Sequence, residues 1–106
     1  MIGYKLFRKR MDGTLGSLFI NRKARLPLDQ WMQAESHPTK GYAFRPHWHV
    51  LARPEAPHLT LKGRVWARVE MSVTEGIKTI TRRASEGGVW YLAQRIRIIE
   101  EIDDND

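Results

Sequence analysis

The residues best equipped for chemistry crowd into one stretch, residues 41–59, GYAFRPHWHVLARPEAPHL, which holds three of the four histidines. Its centre, Arg45-Pro46-His47-Trp48-His49, sets a guanidinium, two imidazoles and an indole within five residues, and His58 follows nine residues after His49. An imidazole titrates near neutrality, so His49 and His58 could act as general acid and base on a phosphodiester. Arg45 or Arg53 would then stabilise the anionic transition state. Prolines 46, 54 and 57 stiffen the segment and could hold those groups in fixed geometry. On a strand, His47 and His49 share one face, which is also a zinc-binding geometry. With no cysteine and no carboxylates at ligand spacing, no metal site is expected. The structural alternative buries Trp48, Trp66 and Trp90 as core, satisfies His49 and His58 with backbone carbonyls, and places Arg45 in an ion pair.

The elements that must position these groups belong to one domain. A chain of 106 residues with 42% hydrophobic residues and four tryptophans suits a single folded core. The absence of cysteine excludes disulfides, thiolate metal sites and cysteine nucleophiles. No apolar run approaches membrane length and the first residues show no leader pattern. A soluble protein of the host cell's cytoplasm, away from membranes, is therefore expected.

Charge is uneven. Residues 100–106, EEIDDND, carry five acids and no base. Residues 1–99 form the basic domain, with 18 basic and 7 acidic side chains and a net of +11, histidine neutral. Such a field draws polyanions. The acidic tail could fold back and screen the basic face.

Along the chain, residues 2–10 read as a strand, and Asp12-Gly13 as a tight hairpin turn leading to a return strand over residues 15–20. This hairpin projects Arg8, Lys9 and Arg10 at one end and Arg22, Lys23 and Arg25 at the other, a ribbon suited to phosphates. Residues 29–35 predict a short helix, with Asp29 as N-cap and Trp31, Met32 and Ala34 available for packing. Residues 42–51 predict an edge or bulged strand interrupted by Pro46. The clearest strand is 65–71, where Val65, Ala67, Val69 and Met71 alternate with Trp66, Arg68 and Glu70. Residues 89–99 predict one long strand, and Arg82-Arg83 adds a second basic pair.

Several patches carry a resemblance: Tyr4-Lys5-Leu6-Phe7-Arg8 with Asp12-Gly13, Leu18-Phe19-Ile20, Trp31, Arg45-Pro46-x-Trp48-His49, Pro57-His58-Leu59, Val65-Trp66-Ala67-x-Val69-Glu70 and Trp90-Tyr91-Leu92-Ala93. Together they resemble a family of small, mostly uncharacterised proteins encoded by bacteriophages and other mobile elements. The resemblance implies a phage accessory protein, and its Arg-Pro-x-Trp-His element marks His49 above His47, which fills the variable position. A remote likeness to ADP-ribosyltransferase-type folds implies a pocket of Tyr4, Arg8, Trp48, His49 and Glu70 around a dinucleotide. Gly13-x-x-Gly16 and Gly87-Gly88 match no dinucleotide fingerprint, however, and no cofactor is expected.

The resulting expectation is an α+β fold. It has a mostly antiparallel twisted sheet of five or six strands, open or barrel-like, with one short helix. Its function is binding RNA, DNA or a host nucleoprotein complex, in the manner of an anti-defence or anti-CRISPR inhibitor. Nucleic-acid contacts are expected from Arg8, Lys9, Arg10, Arg22, Lys23, Arg25, Arg82 and Arg83, and catalytic roles, if the chain is an enzyme, from His49, His58 and Arg45.

Overall fold

In the computed structural model, which describes residues 1–17, 25–34 and 47–102, the organising element is β1 (Ile2–Lys9), a central strand of one antiparallel sheet. The other strands are β2 (Leu15–Gly16), β3 (Trp31–Gln33), β4 (Trp48–Leu51), β5 (Arg64–Met71), β6 (Lys78–Thr81), β7 (Val89–Ala93) and β8 (Arg95–Glu101). They are ordered β3-β8-β5-β1-β4-β7-β6, with β2 paired to the end of β1. The longest ladder runs from Ile2 opposite Glu70 to Arg8 opposite Arg64.

One consequence of this order is curvature. Strands β7 and β8 stand far apart in the sheet, yet only Gln94 separates them in the chain. The sheet must coil strongly to bring them together, and the molecule is nearly isotropic at 31 × 31 × 29 Å. Among the described residues no ladder joins the edge strands β3 and β6, so the sheet is not a closed barrel. The kink is pinned by Ala34, whose N–H donates to the Gln94 carbonyl at 2.6 Å.

The alternation of apolar residues now gains a two-sided meaning. Phe7, Val50, Ala67, Val69, Met71, Ala93, Ile96 and Ile98 form one fully buried cluster, drawn from five strands on the inside of the coil. Their β1 and β5 neighbours Leu6 and Trp66 pack with Leu51 and Ala56 on the other face. That outer cluster is covered by the loop that carries His58 and Leu59 between β4 and β5.

Three expectations change. The sheet has eight strands rather than five or six, because β3 lies where a helix was expected, β6 lies in a polar stretch without clear alternation, and the strand expected over 89–99 is two. Residues 31–33 are strand, not helix, and the described residues contain only one 3₁₀ turn, Ala84–Glu86. The predicted cap, Asp29, has a left-handed backbone (φ 59°), its N–H donates to Ile98, and its carboxylate accepts from Arg97. A helix of seven residues is marginal in isolation. The edge of β8 instead offers Trp31, Met32 and Gln33 a full set of strand partners. The long strand expected over 89–99 is broken at Gln94 into β7 and β8.

Candidate functional sites

The histidine segment enters the described structure at His47, immediately before β4; Arg45 lies outside the described residues. Because strand residues alternate, Trp48 and His49 leave opposite faces. Trp48 packs against the inner cluster and its indole N–H donates to the Met32 carbonyl at 3.1 Å. His49 is half-buried on the outer face, with Nδ1 donating to the His47 carbonyl at 3.2 Å.

His49 and His58, distant in the loop pattern, meet over one indole. Each ring stands edge-on to Trp90, at centroid distances of 6.4 Å for His49 and 6.1 Å for His58. Trp90 is itself fixed, because its Nε1–H donates to the Glu86 carbonyl at 2.8 Å. The turn that permits this needs glycine: Gly87 has φ 99°, and a Cβ there would overlap Leu51 and crowd the Trp90 indole nitrogen. His58 is exposed, so the cluster opens to solvent on one side.

His47 is used differently, since the Gln94 amide donates to its Nε2 at 3.0 Å, adding a second pin to the kink. The two histidines of the H-x-H pair therefore have separate partners. Among the described residues no three His, Asp or Glu side chains gather as a metal ligand set.

The transferase-type pocket is not assembled. Trp48 faces away from His49, and Glu70 is engaged with Arg97 at 2.5 Å, within a chain that reaches Asp29 at 3.0 Å. The same Arg97 guanidinium lies 5.6 Å from the Trp31 ring centroid.

A second site stands at the far end of β1. Arg8, Lys9, Arg10 and Met11 join Lys62, Gly63 and Arg64 around an open cleft of about 430 Å³, and none of these described lining residues is acidic. Arg8 and Arg64 are directly opposite in the β1–β5 ladder. Two like charges so placed repel and destabilise a sheet. Arg10 is seated over Gly16, where a Cβ would lie 3.0 Å from its guanidinium nitrogens, and Arg10 Nη1 donates to the Leu15 carbonyl at 3.4 Å. Gly16 in turn pairs with Arg8. Any side chain there would push the Arg10 guanidinium out of its seat.

The hairpin that presents these residues closes as its composition demands. Gly13 donates to the Arg10 carbonyl at 3.0 Å and Arg10 to the Thr14 carbonyl at 2.9 Å. The Asp12 carboxylate accepts from the Thr14 hydroxyl at 2.6 Å and the Thr14 N–H at 3.0 Å. Those bonds, with a smaller contribution from Arg25 at 3.2 Å, lower the Asp12 pKa to about 2.

Of the expected nucleic-acid residues, the structure brings Arg8, Lys9 and Arg10 into one cleft. Lys9 also forms an ion pair with Glu101. Arg25 sits beside Asp12 in the same hairpin region, while Arg22 and Lys23 lie outside the described residues. Arg82 and Arg83 belong elsewhere. Thr81 pairs with Val89, which accepts from Ala52, next to the Leu51 that pairs with Tyr4. They therefore stand near the Gly3 end of β1, about 17 Å along the strand direction from Arg8 and three strands across. Lys62 and Arg64 were not singled out by the sequence reading. Their signal is two bases flanking a turn glycine just before the clearest strand.

No known protein family, curated protein or solved structure matches this chain. Among the described residues no helix is long and apolar enough to cross a membrane.

Proposed function

We propose that this chain is a phage-type accessory protein that binds nucleic acid or a host nucleoprotein complex, with the cleft of Arg8, Arg10, Lys62 and Arg64 as its principal anion contact. The observation that carries this reading is the facing pair Arg8 and Arg64 within a cleft whose described lining residues are mostly basic. A phosphate shared between the two facing guanidiniums would turn their mutual repulsion into joint attraction. Occlusion of a nucleoprotein, including one that serves a host defence system, fits a small basic domain whose partner supplies the negative charge.

Anisotropy with fluorescent RNA and DNA at ~50 mM salt tests the reading. Each phosphate contacted should contribute about −0.7 (single strand) to −0.9 (duplex) to the log–log salt slope. Arg8→Ala with Arg64→Ala should flatten that slope by about one to two phosphates' worth, and Arg82→Ala with Arg83→Ala by less. Absence of binding to either nucleic acid would remove it as the ligand. Binding indifferent to Arg8 and Arg64 would move it to another surface.

A second reading rests on the convergence of His49 and His58 at Trp90. In it the two imidazoles serve as acid and base on a phosphodiester, with Arg45 stabilising the anionic transition state. His49→Ala should then abolish hydrolysis of a phosphodiester substrate while stability stays within about 1 kcal/mol of the parent. A His49→Ala protein that unfolds would make the imidazole a packing group.

A further inference from the structure

The two lips of the basic cleft are turns, and each carries an apolar side chain out into solvent. The first is the tip of the β1–β2 hairpin, where Met11 is exposed at 107%. The next most exposed of the described large apolar side chains, Val73, stands at 64%. The second turn runs from Leu61 to Arg64, closed by the Arg64 N–H on the Leu61 carbonyl at 3.0 Å. Leu61 is half-exposed, and the Lys9 N–H ties this turn to β1 by donating to the Gly63 carbonyl at 2.9 Å. Apolar side chains scattered singly on a surface are ordinary. Two of them on adjoining turns, among Arg8, Lys9 and Lys62, form a pattern.

Met11 is presented stiffly. Gly13 donates to the Arg10 carbonyl and Arg10 to the Thr14 carbonyl, while Asp12 folds back onto the Thr14 hydroxyl and N–H. None of those bonds uses the Met11 side chain. The Asp12 carboxylate beside it is met by Arg25 at 3.2 Å, which offsets its repulsion of a phosphate backbone.

We propose that the cleft takes duplex DNA from the minor-groove side, with Arg8 and Lys62 on the phosphates and Met11 as a wedge between two base pairs. This assignment rests on the anion-site reading of the cleft and names its substrate class. A fixed apolar side chain among cations is the device by which minor-groove proteins part a base step and kink the helix. Single strands fit less well, because their binders stack bases on aromatic rings and none of the described lining residues is aromatic. Duplex RNA also fits less well, since its wide, shallow minor groove is recognised by shape and 2′-hydroxyls. A membrane surface would attract the same cations, but inserting this tip would take Asp12 and the turn backbone out of water, whereas a wedge inserts one side chain.

Bending separates the wedge from simple phosphate contact. A DNA duplex of about 25 base pairs with donor and acceptor dyes at its ends should shorten on binding, as a kink of about 20–90° requires. A duplex with a central mismatch, already weakened at that step, should bind about tenfold more tightly than the intact one. Met11→Ala should bind both duplexes alike, without shortening and with an unchanged salt slope, because no phosphate contact is lost. Met11→Leu should restore the bend. A side chain this exposed holds no part of the core, so both variants keep the fold.

Equal affinity of the parent protein for both duplexes, with no bend, would overturn the wedge and leave the cleft's polyanion role intact. Tighter binding to a single strand than to a duplex would overturn the choice of duplex DNA. If no DNA or RNA binds, while vesicles of phosphatidylcholine and phosphatidylserine bind and Met11→Ala releases them, the tips belong to a membrane and both readings fall.

Discussion

The two ends of β1 answer to different demands. At one end Gly3 is buried so tightly that a Cβ would overlap Val50 and lie 3.0 Å from the Met71 methyl and 3.1 Å from the Leu51 carbonyl. At the other, Arg8 faces Arg64 across the same ladder beside an open cleft. Eight residues of one strand thus pass from close packing to concentrated like charge. The first end is built by close packing. The second gathers cations around an open cleft, and that contrast marks it as the place to look for a ligand.

Substitutions can break or sharpen this contrast. The largest effect belongs to Phe7, whose ring is fully buried inside the coil. Phe7→Ala should cost about 3–5 kcal/mol, read as a lowered denaturant midpoint. Next comes Gly3→Ala, which overfills the packed end and should cost about 1–3 kcal/mol. If it is neutral, that end is looser than the comparison requires.

At the charged end the sign should reverse. Arg8→Ala relieves the repulsion from Arg64 and should leave stability unchanged or raise it by up to about 1 kcal/mol, while weakening polyanion binding. A clear loss of stability would show that the guanidinium serves the fold, and the contrast between the two ends would collapse.

The smallest effect is a pH dependence in the hairpin that presents the cleft. Asp12 titrates near about 2 in the folded chain against an ordinary value of 3.8. A lowered folded pKa contributes stability that is present above 3.8 and lost as pH falls from there through about 2. Thr14→Val removes the hydroxyl bond that contributes most, so it should raise the Asp12 pKa in an NMR titration. An unchanged midpoint would assign the shift to the Thr14 N–H, with Arg25 behind it.

What the sequence made legible was local. The alternation of Val65, Ala67, Val69 and Met71 marks β5, and Asp12-Gly13 marks the hairpin, because both signals are contained within a few residues. The concentration of Arg8, Lys9 and Arg10 was equally plain. What escaped depends on distant partners. Trp31 became a strand residue because the β8 edge supplied its hydrogen bonds. Arg64 became part of a site only through a register linking positions 56 residues apart. His49 and His58 could be paired by type in the sequence, but Trp90, the ring that joins them, comes from another strand and from a turn shaped by Gly87.

The central position of β1 also governs when the molecule can form. Its residues are the first of the sheet to be synthesised, yet its neighbours β4 and β5 begin at Trp48 and Arg64. Until those segments emerge, the one described strand that β1 pairs with is the two-residue β2. Closing such long loops before any contact rewards them makes folding slow, on the millisecond-to-second scale of sheet proteins. The strand that organises the finished molecule is therefore made early and completed late, once β5 has emerged.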